Sequence, residues 1–375
     1  MPEDELENLI SQHNVDIVVF SYSDITHETV MHLASRTVAA GASFMLLGHE
    51  QTAIPSTKPV IAVCAARTGS GKSQTTRAVA KVLKEKGKRI AVIRHPMPYG
   101  DLAKQAVQRF ETYSDLDLHE TTIEEREEYE PHIDEGNLLF AGVDYEAILR
   151  EAEESADVIL WDGGNNDSSF YKADLYITLL DALRPGHSVS YHPGEVNLRL
   201  ADVLIINKID TADPEDITQV ERTATEYNSR AEIVLARSPV TLDDPDAVSG
   251  KRVLVIEDGP TLTHGGMTFG AGYVAAKAAG AESIVDPRPY ATGSIKGTFD
   301  KFSHLKDVLP AMGYGDEQVE ELETTINAVP CDIVVAGTPI DVTRIITVNK
   351  PMVRARYELG EVGAGRLKAH IERIL

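Results

Sequence analysis

Short apolar runs separated by stretches of helical spacing dominate this chain, and they predict an α/β fold with a mostly parallel sheet and helices on both faces. The first group is a strand at 16–20, an amphipathic helix at 27–40 and a strand at 42–47. This β-α-β piece reads as a partial Rossmann-like unit over residues 1–57, closed by a polar linker at 50–58. From 58 to 375 the pattern predicts one larger domain, with strands at 60–65, 89–94, 158–161, 175–180, 203–207, 232–236, 252–257, 283–285 and 332–336. A last helix is expected over 360–375. The glutamate-rich run 124–130 reads as the solvated face of a helix, with a glutamate that assists Mg²⁺ as the alternative.

Between the strand at 60–65 and the helix that opens at Gln74 lies Ala66-Arg67-Thr68-Gly69-Ser70-Gly71-Lys72-Ser73. Strand, glycine-rich turn and helix together make a phosphate-binding loop, with Ala66 where the first glycine usually stands. Glycines let backbone N–H groups approach phosphate oxygens, and the helix N-terminus adds positive potential. The expected nucleotide contacts are Arg67, Thr68, Gly69, Ser70, Gly71, Lys72, Ser73 and Gln74. Lys72 reaches for the β- and γ-phosphates, and Ser73 for Mg²⁺. A second apolar strand ends in Asp162, the expected partner of Ser73 on the metal. A third ends in Asn207-Lys208-Ile209-Asp210, the pattern by which GTPases hold a guanine base. Residues 58–375 therefore form a P-loop NTPase-type nucleotide-binding and catalytic domain.

Charge narrows the partners. The chain has 375 residues, 59 acidic against 36 basic, and a net charge of −23. That argues against nucleic acid and anionic membranes, and it fits a solvated acidic surface of the kind that stays soluble in a salt-rich interior. No apolar run approaches bilayer length, and the acidic N-terminus is unlike a signal peptide. Cys64 and Cys331 sit in apolar runs and read as buried thiols of a cytoplasmic protein. The composition leaves room for a homodimer.

On so acidic a chain, basic residues gathered in loops point to an anionic ligand. Arg94 and His95 follow one strand, Arg184 and His187 another, His264 a third and Arg288 a fourth. Parallel strands present their carboxyl ends to one crevice. Arginine forks suit phosphate, so these residues predict a phosphorylated small-molecule substrate facing the γ-phosphate.

Several segments together resemble the archaeal cyclic 2,3-diphosphoglycerate synthetase family and its GTPase-like relatives. They are Arg67-Thr68-Gly69-Ser70-Gly71-Lys72-Ser73, Arg94-His95-Pro96-Met97-Pro98-Tyr99-Gly100, Trp161-Asp162-Gly163-Gly164-Asn165-Asn166, Arg184-Pro185-Gly186-His187, Glu257-Asp258-Gly259-Pro260-Thr261-Leu262-Thr263-His264-Gly265-Gly266 and Gly337-Thr338-Pro339-Ile340-Asp341. The resemblance implies an ATP- and Mg²⁺-dependent ligase that closes 2,3-bisphosphoglycerate into a cyclic pyrophosphate. It also implies an N-terminal Rossmann-like domain, inside which this chain begins. Lys72, Arg94, His95, Arg184 and His187 would then be the catalytic set, since the task is to position crowded negative charge. The alternative is a SIMIBI-type GTPase acting as a switch or metallochaperone. Asn207-Lys208-Ile209-Asp210 favours GTP and that alternative, whereas the resemblance favours ATP. No Cys or His pair stands at convincing metal-ligand spacing.

Overall fold

Every residue of the strand Val60–Ala65 is buried, as an apolar run covered on both faces requires. A computed structural model describes residues 3–95, 102–263, 265–312, 315–363 and 365–375. The apolar runs of the larger body form two sheets rather than the single strand edge the sequence suggested. The first has nine strands. In spatial order they are Gly360–Glu361, Glu232–Arg237, Val203–Asn207, Leu175–Asp181, Val60–Ala65, Val158–Trp161, Ile90–Ile93, Leu138–Ala141 and Gln108–Phe110. Its interior pairs are parallel, and the short strands at its two ends run antiparallel. Helices cover both faces, and two apolar clusters lie on opposite sides of the central strand: Ile61, Val63 and Ala65 on one, Val60, Ala62 and Cys64 on the other. Trp161 is fully buried in the second cluster, a position where truncation costs about 3–5 kcal/mol.

The second sheet draws its strands from Val240 to Tyr357, after which Gly360–Glu361 returns to the edge of the first. Val240–Leu242, Met352–Tyr357, Ile333–Gly337 and Arg252–Asp258 lie in that order, and Arg252–Asp258 then pairs with both Ser283–Ile284 and Val308–Ala311. It has its own core around Val255, Ile256, Leu309 and Val335. Strands at 252–257, 283–285 and 332–336 therefore exist as expected but belong to this second layer. The reason is that a run buried on both faces carries no mark of which sheet it joins.

The N-terminal piece is a β-α-β unit, with Ile17–Val19 parallel to Ser43–Met45 and the helix His27–Ala39 between them. Thr26 caps that helix by accepting from the Thr29 N–H at 3.2 Å. Ile25–Thr26 pairs with Tyr191–His192 and so ties the unit to the main body. The linker is also anchored: Ser56 Oγ and the Thr57 N–H donate to Glu153 at 2.9 and 2.6 Å.

The run 124–130 departs most from expectation. It lies in the helix Ile123–Asp134, where Glu124, Glu125, Glu127 and Glu130 are all buried. Thr122 and Glu125 close a capping box at its start. The helix is wedged between the two sheets, where Thr338 and the Asp341 N–H from the second layer meet Glu127 and Glu130. Its low amphipathicity is the mark of an element covered all round. Both cysteines are buried and free, and burial pushes the Cys64 thiol up to about 12. Among the described residues, no helix is long and apolar enough to cross a membrane.

Candidate active site

Val60–Ala65 is central in its sheet, and the loop after it turns on two left-handed glycines, Gly69 at φ 76° and Gly71 at φ 102°. A Cβ on Gly71 would lie 2.1 Å from Asn207 Nδ2, so only glycine fits. Asn207 Nδ2 donates to Ser70 O at 3.0 Å, and Lys208 Nζ donates to Gly69 O at 2.7 Å. Lys208 also meets Asp181 at 2.8 Å. Burial alone would raise the Asp181 carboxyl, but Lys208 and Arg184 outweigh it and hold it below the usual range. The N–H groups of Gly69 through Ser73 donate to no acceptor among the described residues. They form a row of open donors at the start of the helix Lys72–Glu85, as a bound polyphosphate requires.

Lys72 Nζ donates to Asp162 Oδ1 and to Gly163 O, both at 2.7 Å. The other oxygen of Asp162 lies 2.8 Å from Arg94 Nη1 and 3.2 Å from His132 Nε2. His132 Nδ1 in turn meets the Asn137 side chain at 3.2 Å. Burial would raise the Asp162 carboxyl, yet Arg94 first, then Lys72 and His132, hold it well below the ordinary carboxylate range. Glu128 pairs with the other fork of Arg94 and approaches Ser73 Oγ at 3.5 Å. Ser73, Asp162 and Glu128 thus offer hard oxygen donors beside the open loop, which fits Mg²⁺. Among the described residues, no group of three or more His, Cys, Asp or Glu could hold a metal by itself. A metal here would share its shell with phosphate oxygens.

The expected substrate residues divide. Arg184 grips the loop rather than facing outward. Its Nη2 donates to Thr68 O at 2.7 Å, its Nη1 to Gly265 O at 2.8 Å, and its Nε to Asp181 at 2.9 Å. Arg94 is buried against Asp162 and Glu128. His95 lies against Gly164 and the rings of Tyr145 and Phe170. His187 stands beside Arg67 and Tyr191; burial, then the Arg184 and Arg67 cations, hold its imidazole below its ordinary value. Arg288 pairs with Asp286 on the surface of the second layer, apart from the loop's contacts. His264 and the segment 96–101 lie outside the described residues. Asp210 accepts from the Ser238 N–H at 3.1 Å, and Ser238 Oγ meets Gln74 at 3.2 Å.

Other residues enter that the sequence did not single out. Asp24, from the N-terminal unit, accepts from Arg67 and from Thr68 Oγ1. Arg67 also lies 3.8 Å over the Tyr191 ring. Asn166 and Asn197 side chains hold Ala66 O and Ala65 O at 3.1 and 3.0 Å. Glu128 and His132 stand four apart on one helix face, a spacing that would have marked them as a pair.

Residues 149–235 match the CobW/HypB/UreG nucleotide-binding domain family, a span that includes Asp162 and Asn207-Lys208-Ile209-Asp210. Over 370 residues the chain is 59% identical to arginine synthetase ArcE of Thermococcus kodakarensis, covering 99% of this chain and 83% of that protein. LpxK from Aquifex aeolicus, solved in complex with ATP, shares the fold at a TM-score of 0.50 and 15% identity, over 87% of this chain and 92% of that one. The hydrogenase maturation factor HypB of Archaeoglobus fulgidus aligns over 50% of this chain and 83% of its own, with a TM-score of 0.31 and 16% identity.

Proposed function

Because this chain belongs to the family of the Thermococcus kodakarensis arginine synthetase ArcE, we propose that it is a nucleoside triphosphate-driven synthetase of a guanidino compound, with arginine as its product. The observation that carries this reading is the 59% identity over 99% of the chain. The P-loop, Asp162 and the open N–H row give it the site for the triphosphate.

The chemistry accounts for the architecture. Making a guanidino carbon from a ureido group and ammonia expels the elements of water, which is uphill in water. A ureido oxygen, as in citrulline, attacks the γ-phosphate and ADP leaves. Ammonia then adds to the ureido carbon, inorganic phosphate departs with the oxygen, and a proton is lost. The N–H groups of Gly69 through Ser73 hold the phosphates, and Lys72 turns from Asp162 to the transferring phosphoryl group. Ser73, Asp162 and Glu128 would hold Mg²⁺, which would supply neutralisation of phosphate charge there. His132 and Arg94 keep Asp162 oriented and ionised. Arg184 keeps the loop's shape from behind.

The cyclisation of 2,3-bisphosphoglycerate would use the same activating transfer. It needs a polyanion cradle, however, and Arg94, Arg184 and Arg288 already have carboxylate partners. A guanine-specific switch is favoured by Asn207-Lys208-Ile209-Asp210, which braces the loop and leaves Asp210 exposed. Phosphate release separates the three. With Mg²⁺ and either ATP or GTP, release should rise only when citrulline and ammonium are both present. Release stimulated by 2,3-bisphosphoglycerate, or insensitive to both additions, would overturn the proposal.

A further inference from the structure

The N-terminal unit reaches the phosphate loop through one carboxylate. Asp24 stands at a left-handed backbone position, φ 59°, directly before the strand Ile25–Thr26. That strand pairs with Tyr191–His192, and the His27 N–H donates to Ser190 O at 3.0 Å, so the turn that carries Asp24 is pinned to the main body. From there Asp24 Oδ2 accepts from Arg67 Nη1 and from Thr68 Oγ1, the latter at 2.9 Å. The Arg67 and Asp24 side chains are 8% and 7% exposed. Among the described residues, Asp24 makes no side-chain bond within its own unit, and its Oδ1 is buried without a donor. Its charge is therefore answered from the loop, across the seam.

Arg67 is held on other sides too. Its guanidinium lies 3.8 Å over the Tyr191 ring, and its Nε stands 3.4 Å from His187 Nδ1. A guanidinium fixed in this way keeps one direction, whereas a solvated arginine samples many. Within the loop 66–73, Arg67 and Lys72 are the only charged side chains. An acid that merely fastened the unit to the body could sit anywhere along the seam. This one meets the second and third residues of the phosphate loop.

We propose that Asp24 is a positioning residue for phosphoryl transfer: through Arg67 and Thr68 it aims the loop's second cation at the γ-phosphate and makes the N-terminal unit part of the site. With five donors on one guanidinium, Arg67 can keep Asp24 while it meets a phosphate oxygen. The effect is felt in the transition state, where a cation already in place needs no reorganisation. This assignment rests on the reading of the loop as a triphosphate site, not on arginine as the product.

The test is phosphate release from Mg·ATP, alone and with citrulline and ammonium, by wild type, Asp24→Asn, Arg67→Gln and the double variant, with the melting temperature of each. Asp24→Asn should lower kcat about tenfold or more with little change in the KM for Mg·ATP, because a misdirected Arg67 is missed chiefly in the transition state. Each single variant strands a buried charge and should melt lower. The double variant, with neither charge, should recover stability yet stay as slow as Arg67→Gln alone. A merely structural ion pair would regain rate together with stability, and that result overturns the proposal. So does a wild-type kcat in Asp24→Asn, or a further loss when Asp24→Asn is added to Arg67→Gln. Release that depends on Asp24 but yields no arginine leaves this assignment standing and removes the synthetase reading; no release by wild type under either condition overturns both.

Discussion

Lys72 shows how one side chain can serve two partners. In the structure it neutralises Asp162, and a bound triphosphate competes for the same ammonium. Lys72→Ala should leave the fold intact, because Arg94 and His132 still hold Asp162, while phosphate release falls by about a hundredfold or more. Circular dichroism together with a turnover assay checks both halves. Glu257 gives a pH prediction. It is buried and accepts three N–H groups, from Gly270, Gly272 and Tyr273, yet burial outweighs them and raises it to about 7 from 4.5. A raised carboxyl binds its proton more tightly when folded. Its stabilising effect is therefore full below about pH 4.5 and is lost as pH rises through about 7, by about 3 kcal/mol in all. Glu257→Gln should flatten the fall of stability between those pH values, and an unchanged slope in urea titrations would contradict it. Lys72, Ser73, Asp162 and Asn207 were legible in the sequence because each stands at a fixed offset from an apolar strand. Glu128 and His132 had only their four-residue spacing to mark them, and Asp24 had nothing, since its role depends on packing between elements remote in sequence.

At the scale of elements, the phosphate loop is held from three sides. The helix Gly194–Leu200 lies so close that a Cβ on Gly194 would sit 2.0 Å from Ala66 O. Gly194→Ala should push that helix off the loop, costing about 1–3 kcal/mol and weakening Mg·ATP binding. Thermal melts with and without nucleotide read both effects; a mutant as stable and as tight as wild type would contradict the close packing. Arg184→Ala should likewise weaken nucleotide binding, because Arg184 links Thr68 O to Gly265 O across the two layers. From sequence alone that arginine read as a substrate contact, and a free guanidinium cannot be told from a committed one without its partners. The helix Ile123–Asp134 was misread for the same reason. Its glutamates look solvated until the second sheet is packed against them.

At the scale of the molecule, the parallel α/β class and the presence of the strands around the phosphate loop followed from the alternation of apolar runs and helical spacing. The division into two sheets did not, because buried parallel strands look alike wherever they go. Net charge acts on the whole. At −23 the folded chain repels itself, and many of its ion pairs lie on the surface, where each adds little. Raising potassium chloride from about 0.05 to about 1 M should therefore raise the melting temperature by screening that repulsion; a fall would show that the surface pairs outweigh it.

The central claim is that the triphosphate's energy is spent on a carbon–nitrogen bond. The measurement that tests it most directly is ¹⁵N-NMR of the purified protein with Mg·ATP, citrulline and ¹⁵N-ammonium. The account predicts ¹⁵N in the guanidino group of arginine, formed one for one with released phosphate and absent in Lys72→Ala. Phosphate released without labelled arginine, with ATP and with GTP alike, would contradict it.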